Sequence, residues 1–465
     1  MVIGQSPNYQ FTKLMNKEQN QVVKTAFEIK QNILVVKRIE DNKTDFVLDV
    51  LDSNYMYVSS QSFKLPVTKI RKMGVIQNQL VVFGEFENGS LDILKMFVFD
   101  NTYSSFVEKE LMSLDARGGY RTNYDVSISP SGKYFSMIGS HAYKEKHKEI
   151  MSIAMYDSLQ NKVFSDDILT TIESSKRRHN VLVCNDNGYN YIIKKERSKN
   201  KNNYYLYTVN STGTKQHETV RLKSRQIVDA EYSLDAAGNL FLAGFFSSPI
   251  SFNFEGLFVA KYEEKASATF TREYFFNANV VEAFRSKKEI KEYGFGLDYF
   301  SAKGLLFTSE KDMILMAEHH SVLKDAKNGP EDYRRGFVMF NLDVNGGFKY
   351  GTPVVTEQTD GKTMGYWSSN YMISFEGKPV VYINRIGDGA KSTKSSAQKN
   401  SGLPVESMVF ANSGNFESSY PDFEMEMLQF CLNTNFKNKT SKTIICFERL
   451  DRKAYTFGIL KSIDG

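Results

Sequence analysis

The stretch VSISPSGKYFSMIGS, residues 126–140, decides the fold. It is a strand introduced by a turn, in which Ser131-Gly132 supplies the positive φ that a tight hairpin requires. Strands of the same kind recur: ILVVKRI from 33, QLVVFGEF from 79, KYFSMIGS from 133, YNYIIKKE from 189, NLFLAGFF from 239, MILMAEHH from 313 and PVVYINRI from 379. Each is short, apolar and rich in β formers. A second series follows the first, each member ending in an acidic or amide turn: DFVLDVLDSN (45–54), MFVFDNT (96–102), SIAMYDS (152–158), YLYTVNS (205–211), LFVAKYEE (257–264), FVMFNLDVNG (337–346) and SMVFANSG (407–414). The two series interleave seven times, with polar tips of variable length between them.

One repeat is therefore two apolar hairpin strands, a polar outer strand, and an inner strand that precedes them. Such a sheet cannot bury both faces alone; stacked radially, each sheet covers its neighbours and only short edges remain exposed. The expected fold is an all-β propeller of seven blades of four antiparallel strands, with eight blades as the alternative, rather than a two-layer sandwich. The C-terminal stretch FEMEMLQFCLN…TIICFERLDRKAYTFGILKSI adds three more strands. They form either an eighth blade or the completion of the first together with QVVKTAFEIK, so that the N- and C-terminal strands close the ring. Residues 1–18 are expected to be an N-terminal extension and 19–465 a single propeller domain. Insertions are expected at 275–296, with a short helix in its middle, and at 387–402, a polar low-complexity loop with no apolar surface to offset ordering entropy.

The bulk numbers agree. Among 465 residues there are 35 Phe and 26 Tyr but only 9 Pro, and 41% hydrophobic content is ample for a core. The net charge is mild, +5 from 59 basic and 54 acidic residues, and basic residues cluster only in short turns such as SKRRHN (175–180) and KKERSKNK (194–201). That pattern reads as solvated hairpin tips, so nucleic acid is not an expected partner. No apolar run reaches the length needed to span a bilayer. The opening VIGQS reads like the tail of a signal peptide, truncated or removed, so the expected location is periplasmic or exported. Three cysteines, Cys184, Cys431 and Cys446, do not make a disulfide scaffold. The last two flank a hairpin, and a bridge or two buried thiols both remain open there.

At YDVSISPSGKY the chain resembles the TolB-type propeller repeat, carried here by Asp125, Ser129, Pro130, Gly132 and Lys133. LDAAGNLFLAGFFS (234–247) is similar to the short repeat of bacterial exported propellers. The Asn-, Lys- and Tyr-rich character, with LDVNGGFKYG and RKAYTFGIL, looks like secreted propellers from bacteria with a type IX secretion system. That resemblance implies an accessory role on an outer-membrane machine. With one tryptophan, Trp367, the chain departs from the WD-repeat pattern.

Propellers can be enzymes, and the fold alone does not decide. The single tryptophan excludes the repeated boxes of sialidase-like propellers and the stacking tryptophans of quinone-dependent dehydrogenases, and no Gly-x-Ser-x-Gly elbow is present. Glu318, His319 and His320 adjoin on one strand, but alternation sends the two histidines to opposite faces, whereas a metal needs three or four convergent ligands. NDNGYN (185–190) and DVNGG (343–347) carry too few acids for calcium loops and read as turns. No catalytic, cofactor or metal residue is assigned, and no cofactor is expected. GPEDYRRGF (329–337) groups Glu331, Asp332, Arg334 and Arg335 in what reads as a connecting loop, with Arg334 and Arg335 either ion-paired or free for a partner. GYWSSNYM (365–372) is the most aromatic loop, and Tyr366, Trp367 and Tyr371 are candidate interface anchors.

The expected function is a non-catalytic interaction propeller, an exported scaffold or accessory subunit that docks on or occludes a larger assembly such as an outer-membrane translocon. Nothing in the sequence favours a homo-oligomer. The alternative is a propeller glycan lyase, hydrolase or lactonase whose acids converge at the central channel. A lectin-like module is a third reading, weakened by the lack of tryptophan.

Overall fold

The computed structural model describes residues 8–11, 15–17, 21–39, 42, 44–115, 121–143, 148–173, 180–198, 201–223, 225–249, 253–309, 311–325, 329–360, 370–384, 405–411, 414–419, 428–430, 436–437, 443–449 and 454–461. Seven antiparallel meanders follow one another along the chain, at 21–64, 69–115, 123–173, 180–220, 226–275, 300–360 and 370–419. They are blades 1 to 7 of a β-propeller, each built on four strands, with an extra short strand, Ser321–Asp325, in blade 6. Blades 4 and 5 run into one continuous sheet through the single pair Asn202↔Ile227.

The chain ends share a sheet, as the ring-closure expectation required. Thr443–Arg449 pairs with Ala454–Lys461, Leu428–Phe430 pairs with the former, and Asn8–Phe11 covers the latter. This sheet is a unit of its own, set between blades 7 and 1. QVVKTAFEIK does not join it, being the first strand of blade 1, Gln21–Ile29. Within residues 1–18, set apart as an extension on sequence grounds, Asn8–Phe11 and Met15–Asn16 both pair with Ala454–Lys461.

The core is a set of layers between blades. Along Asn32–Ile39 of blade 1, Leu34 and Val36 face blade 2 and join Phe46, Phe99 and Val82. The intervening Ile33 and Val35 face the terminal sheet and meet Tyr455. Period-two alternation thus buries both faces of one strand. The same arrangement joins blades 2 and 3 around Phe83 and Phe135, 3 and 4 around Ile153 and Ile192, 4 and 5 around Tyr191 and Phe258, 5 and 6 around Phe245 and Phe340, and 6 and 7 around Met339 and Val381. Each fully buried phenylalanine contributes roughly 1.5–3 kcal/mol of apolar burial. The seven interleaved pairs of sequence segments are the second and third strands of the seven blades, and the fourth strands, such as Tyr57–Lys64, are mostly exposed.

Candidate functional site

An antiparallel meander sends its first-to-second and third-to-fourth turns to one face of the disc. The second-to-third tips and the blade-to-blade connections go to the other. The first face is built from repeated short turns in which one Asp or Asn side chain accepts two backbone N–H groups. Asp52 accepts from Asn54 and Met56, Asp100 from Thr102 and Ser104, Asn210 from Thr212 and Thr214, and Asp343 from Asn345 and Gly347. Turns so constrained offer little room for recognition. The described insertion at 275–296 lies on the opposite face.

The largest described feature there is the connection between blades 5 and 6, the insertion at 275–296. It holds two short helices, α1 (Ala278–Glu282) and α2 (Lys287–Tyr293). Asn277 caps α1 through the Val280 N–H, and Ser286 with Glu289 forms a capping box on α2. Phe276, Val280, Val281 and Phe284 sink into the core between blades 5 and 6. Phe276 stacks on Phe340 at 5.2 Å and fixes the segment to the ring.

Arg285 shapes the loop beyond α2. Its side chain is 4% exposed and donates at 3.0 Å to both the Gly294 and Gly296 carbonyls and at 3.2 Å to that of Glu289. A buried guanidinium satisfied by three carbonyls holds the loop firmly. The loop presents Tyr293, Phe295 and Tyr299, which are 61%, 42% and 67% exposed. Exposed Lys287, Lys288 and Lys291 of α2 flank them. Beside Tyr299 lies His319, ringed by Tyr299, Phe300 and Tyr333 at 5.5–6.2 Å. The Arg335 N–H donates to its Nδ1, and burial pulls its pKa down to about 4, so the imidazole is neutral at pH 7.

Of the residues singled out from sequence, Arg334 and Arg335 lie on the long strand Gly329–Asp343 rather than in a loop. Arg334 is buried and pairs with Glu318 at 2.5 Å, so its charge is matched across its own blade. Arg335 borders the aromatic patch through His319. Tyr371 lies on the strand Asn370–Phe375, whereas Tyr366, Trp367, Cys431 and the 387–402 loop lie outside the described residues. Cys184 is buried, which pushes its thiol up to about 12. Tyr293, Phe295 and Tyr299 escaped the sequence reading because single aromatics in a helical insertion carry no periodic signal.

Carboxylates from the first strands of two blades come near one side chain of the channel wall. Tyr232 on the first strand of blade 5 feels both Glu231 and Asp125, the latter from the first strand of blade 3; burial, Asp125 and Glu231 push its hydroxyl up to about 12. Two of the three carboxylates here are engaged structurally. Asp125 accepts the Leu182 N–H of blade 4 at 2.8 Å, and Asp229 accepts the Ala302 N–H of blade 6 at 3.0 Å. Glu231 is different. Burial and the neighbouring Asp229 push it up to about 7, against the pull of Lys303 and Lys195. Among the described residues no group of three metal-ligating side chains converges.

No family model matches the chain, and no curated protein matches it by sequence. Solved structures similar to it include the β-propeller domain of the Trilobed protease from Pyrococcus furiosus, at 9% identity over 87% of this chain and 99% of that one, TM-score 0.39. The polysaccharide lyase Uly1 is 13% identical over 86% of this chain and 91% of its own, TM-score 0.40. A europium-containing methanol dehydrogenase is 8% identical over 97% and 93%, TM-score 0.42. At these values the likeness assigns neither an activity nor a partner.

Proposed function

We propose that the chain is a non-catalytic interaction propeller: an exported or periplasmic scaffold or accessory subunit that docks on a larger outer-membrane assembly. The observation that carries this reading is the exposed trio Tyr293, Phe295 and Tyr299, held out from the loop-bearing face by buried Arg285. Rigid, amphipathic aromatics lose little conformational entropy on binding and dominate interface hot spots. The flanking lysines suit a partner with an acidic rim. Cross-linking in native membranes, followed by purification through this chain, tests it. A stoichiometric partner is expected with the natural chain and is lost from the Tyr293→Ser/Phe295→Ser/Tyr299→Ser variant. Recovery of the chain alone, or a partner retained by the variant, contradicts it.

One observation favours the second reading, a channel lyase, hydrolase or lactonase. Glu231, with a pKa near 7 and a carboxylate and two lysines around it, has the character of a general acid–base. Turnover of an acidic glycan or a lactone that disappears in Glu231→Gln, with the fold intact, would establish it.

A further inference from the structure

The first strands of blades 1, 2 and 6 each carry one bulged residue at the same level, and in all three that residue is a cation. Lys24, Arg71 and Lys303 are the extra residues between the pairs Val23↔Lys37 and Thr25↔Val36, Ile70↔Gly84 and Lys72↔Phe83, and Ala302↔Ala317 and Gly304↔Met316. Bulges re-aim side chains, and here two of the three cations meet a fixed partner. Arg71 pairs with Glu85 at 2.5 Å and Lys303 with Glu318 at 3.3 Å. Each of these acids sits on the second strand of its blade, at the position paired with Lys69 or Ser301, and each accepts a backbone N–H of the next blade, from Tyr124 or Asn370.

In blade 1 the register-equivalent position, paired with Val22, holds Arg38. Two cations thus stand where the other blades hold a cation and a carboxylate. Among the described residues Lys24 has no hydrogen bond or ion pair, and Arg38, whose Nη2 donates to the Asn42 carbonyl at 3.4 Å, has its Nε buried without an acceptor. Both line a cavity of about 740 Å³ between the first strands of blades 1 and 2 and the 129–132 turn. Lys72, Thr25 and Ser131 also line it, the Ser131 hydroxyl donating to Asp186 at 2.6 Å, and among the described residues no Asp or Glu lines it. A buried donor without an acceptor is costly, and an oxyanion is the ligand that relieves it with charge-assisted bonds.

We propose that blade 1 carries an oxyanion site, in which a carboxylate or phosphate group from outside the chain takes the place between Lys24 and Arg38 that Glu85 and Glu318 fill in blades 2 and 6. Calorimetric titration of the full chain with citrate and, separately, with inorganic phosphate at low salt tests it. Saturable binding of at least one is expected; citrate alone identifies an organic acid as the ligand class, and phosphate binding a phosphate-bearing one. Lys24→Gln/Arg38→Gln should weaken it at least tenfold, while Lys109→Gln/Lys162→Gln, far from the cavity, leaves it unchanged. Arg38→Glu rebuilds the internal pair and should abolish binding while the chain stays folded; if that variant does not fold, the double glutamine variant decides. Absence of binding of both anions to the natural chain, or equal affinity in Lys24→Gln/Arg38→Gln, overturns the site.

Discussion

The carboxylate of Asp229 in blade 5 accepts the backbone N–H of Ala302 in blade 6 at 3.0 Å. The same relationship joins blade 3 to 4 through Asp125 and Leu182, and blade 6 to 7 through Glu318 and Asn370. First strands line the channel and cannot pair laterally as in a continuous sheet, so each leaves a donor beside its neighbour. At these three seams an acid from the preceding blade satisfies it. Asp229→Ala and Asp125→Ala should each lower unfolding free energy by about 1–3 kcal/mol in urea denaturation. Paired in one chain, they should be additive, because they act at separate seams.

The turns are linked in the same way. Buried Asn185 accepts from the Asn187 and Tyr189 N–H groups and donates to the Gly238 carbonyl of the blade 5 turn at 2.9 Å. Asn185→Ala removes the acceptor and the bridge together. A loss of about 1–3 kcal/mol is expected, with hydrogen exchange accelerating first at 185–190 and 235–240.

Two titrations oppose one another in their effect on stability. Glu231, at about 7 in the fold against 4.5 for an ordinary glutamate, contributes stability that is full below pH 4.5 and lost as pH rises through 7. His319, at about 4 against 6.5, contributes stability present above pH 6.5 and lost as pH falls through 4. Glu231→Gln should therefore abolish the decline between pH 5 and 7.5 in a plot of urea midpoint against pH. His319→Gln should flatten the loss between pH 6.5 and 4. Unchanged profiles would contradict the assignment of these environments.

Arg285 separates a packing role from a presenting one. Arg285→Ala leaves three carbonyls without their donor, so the Gly294–Tyr299 loop should loosen while the blade core stays intact. The expected signs are faster proteolysis at the loop and a melting temperature within a few degrees of the natural chain. A collapse of global stability would mean that the loop carries the 5–6 seam.

Legibility in the sequence tracks burial. Second and third strands such as Leu240–Ser247 are buried on both faces, so they stand out as continuous apolar runs. First strands face the channel, are half polar and carry bulges, as Gln226–Leu234 does, so neither alternation nor hydrophobicity marks them. Fourth strands such as Lys215–Val220 are largely exposed and read as polar loops. Arg334 read as loop-borne because its strand continues past the core with charged residues. Its true partner, Glu318, lies sixteen residues earlier, across a hairpin. Inter-blade contacts such as Asp125 to Leu182 link residues fifty-seven positions apart and leave no local trace.

The ring depends on the chain ends meeting, with Tyr9 opposite Leu460 in the terminal sheet. Tyr9→Cys/Leu460→Cys in a background with Cys184, Cys431 and Cys446 replaced by serine tests this directly. Mild oxidation should give an intramolecular disulfide, seen as a mobility change on a non-reducing gel, with a raised melting temperature that reverts on reduction. Two free thiols after oxidation, or a bond that forms only between molecules, would contradict a propeller closed by its termini.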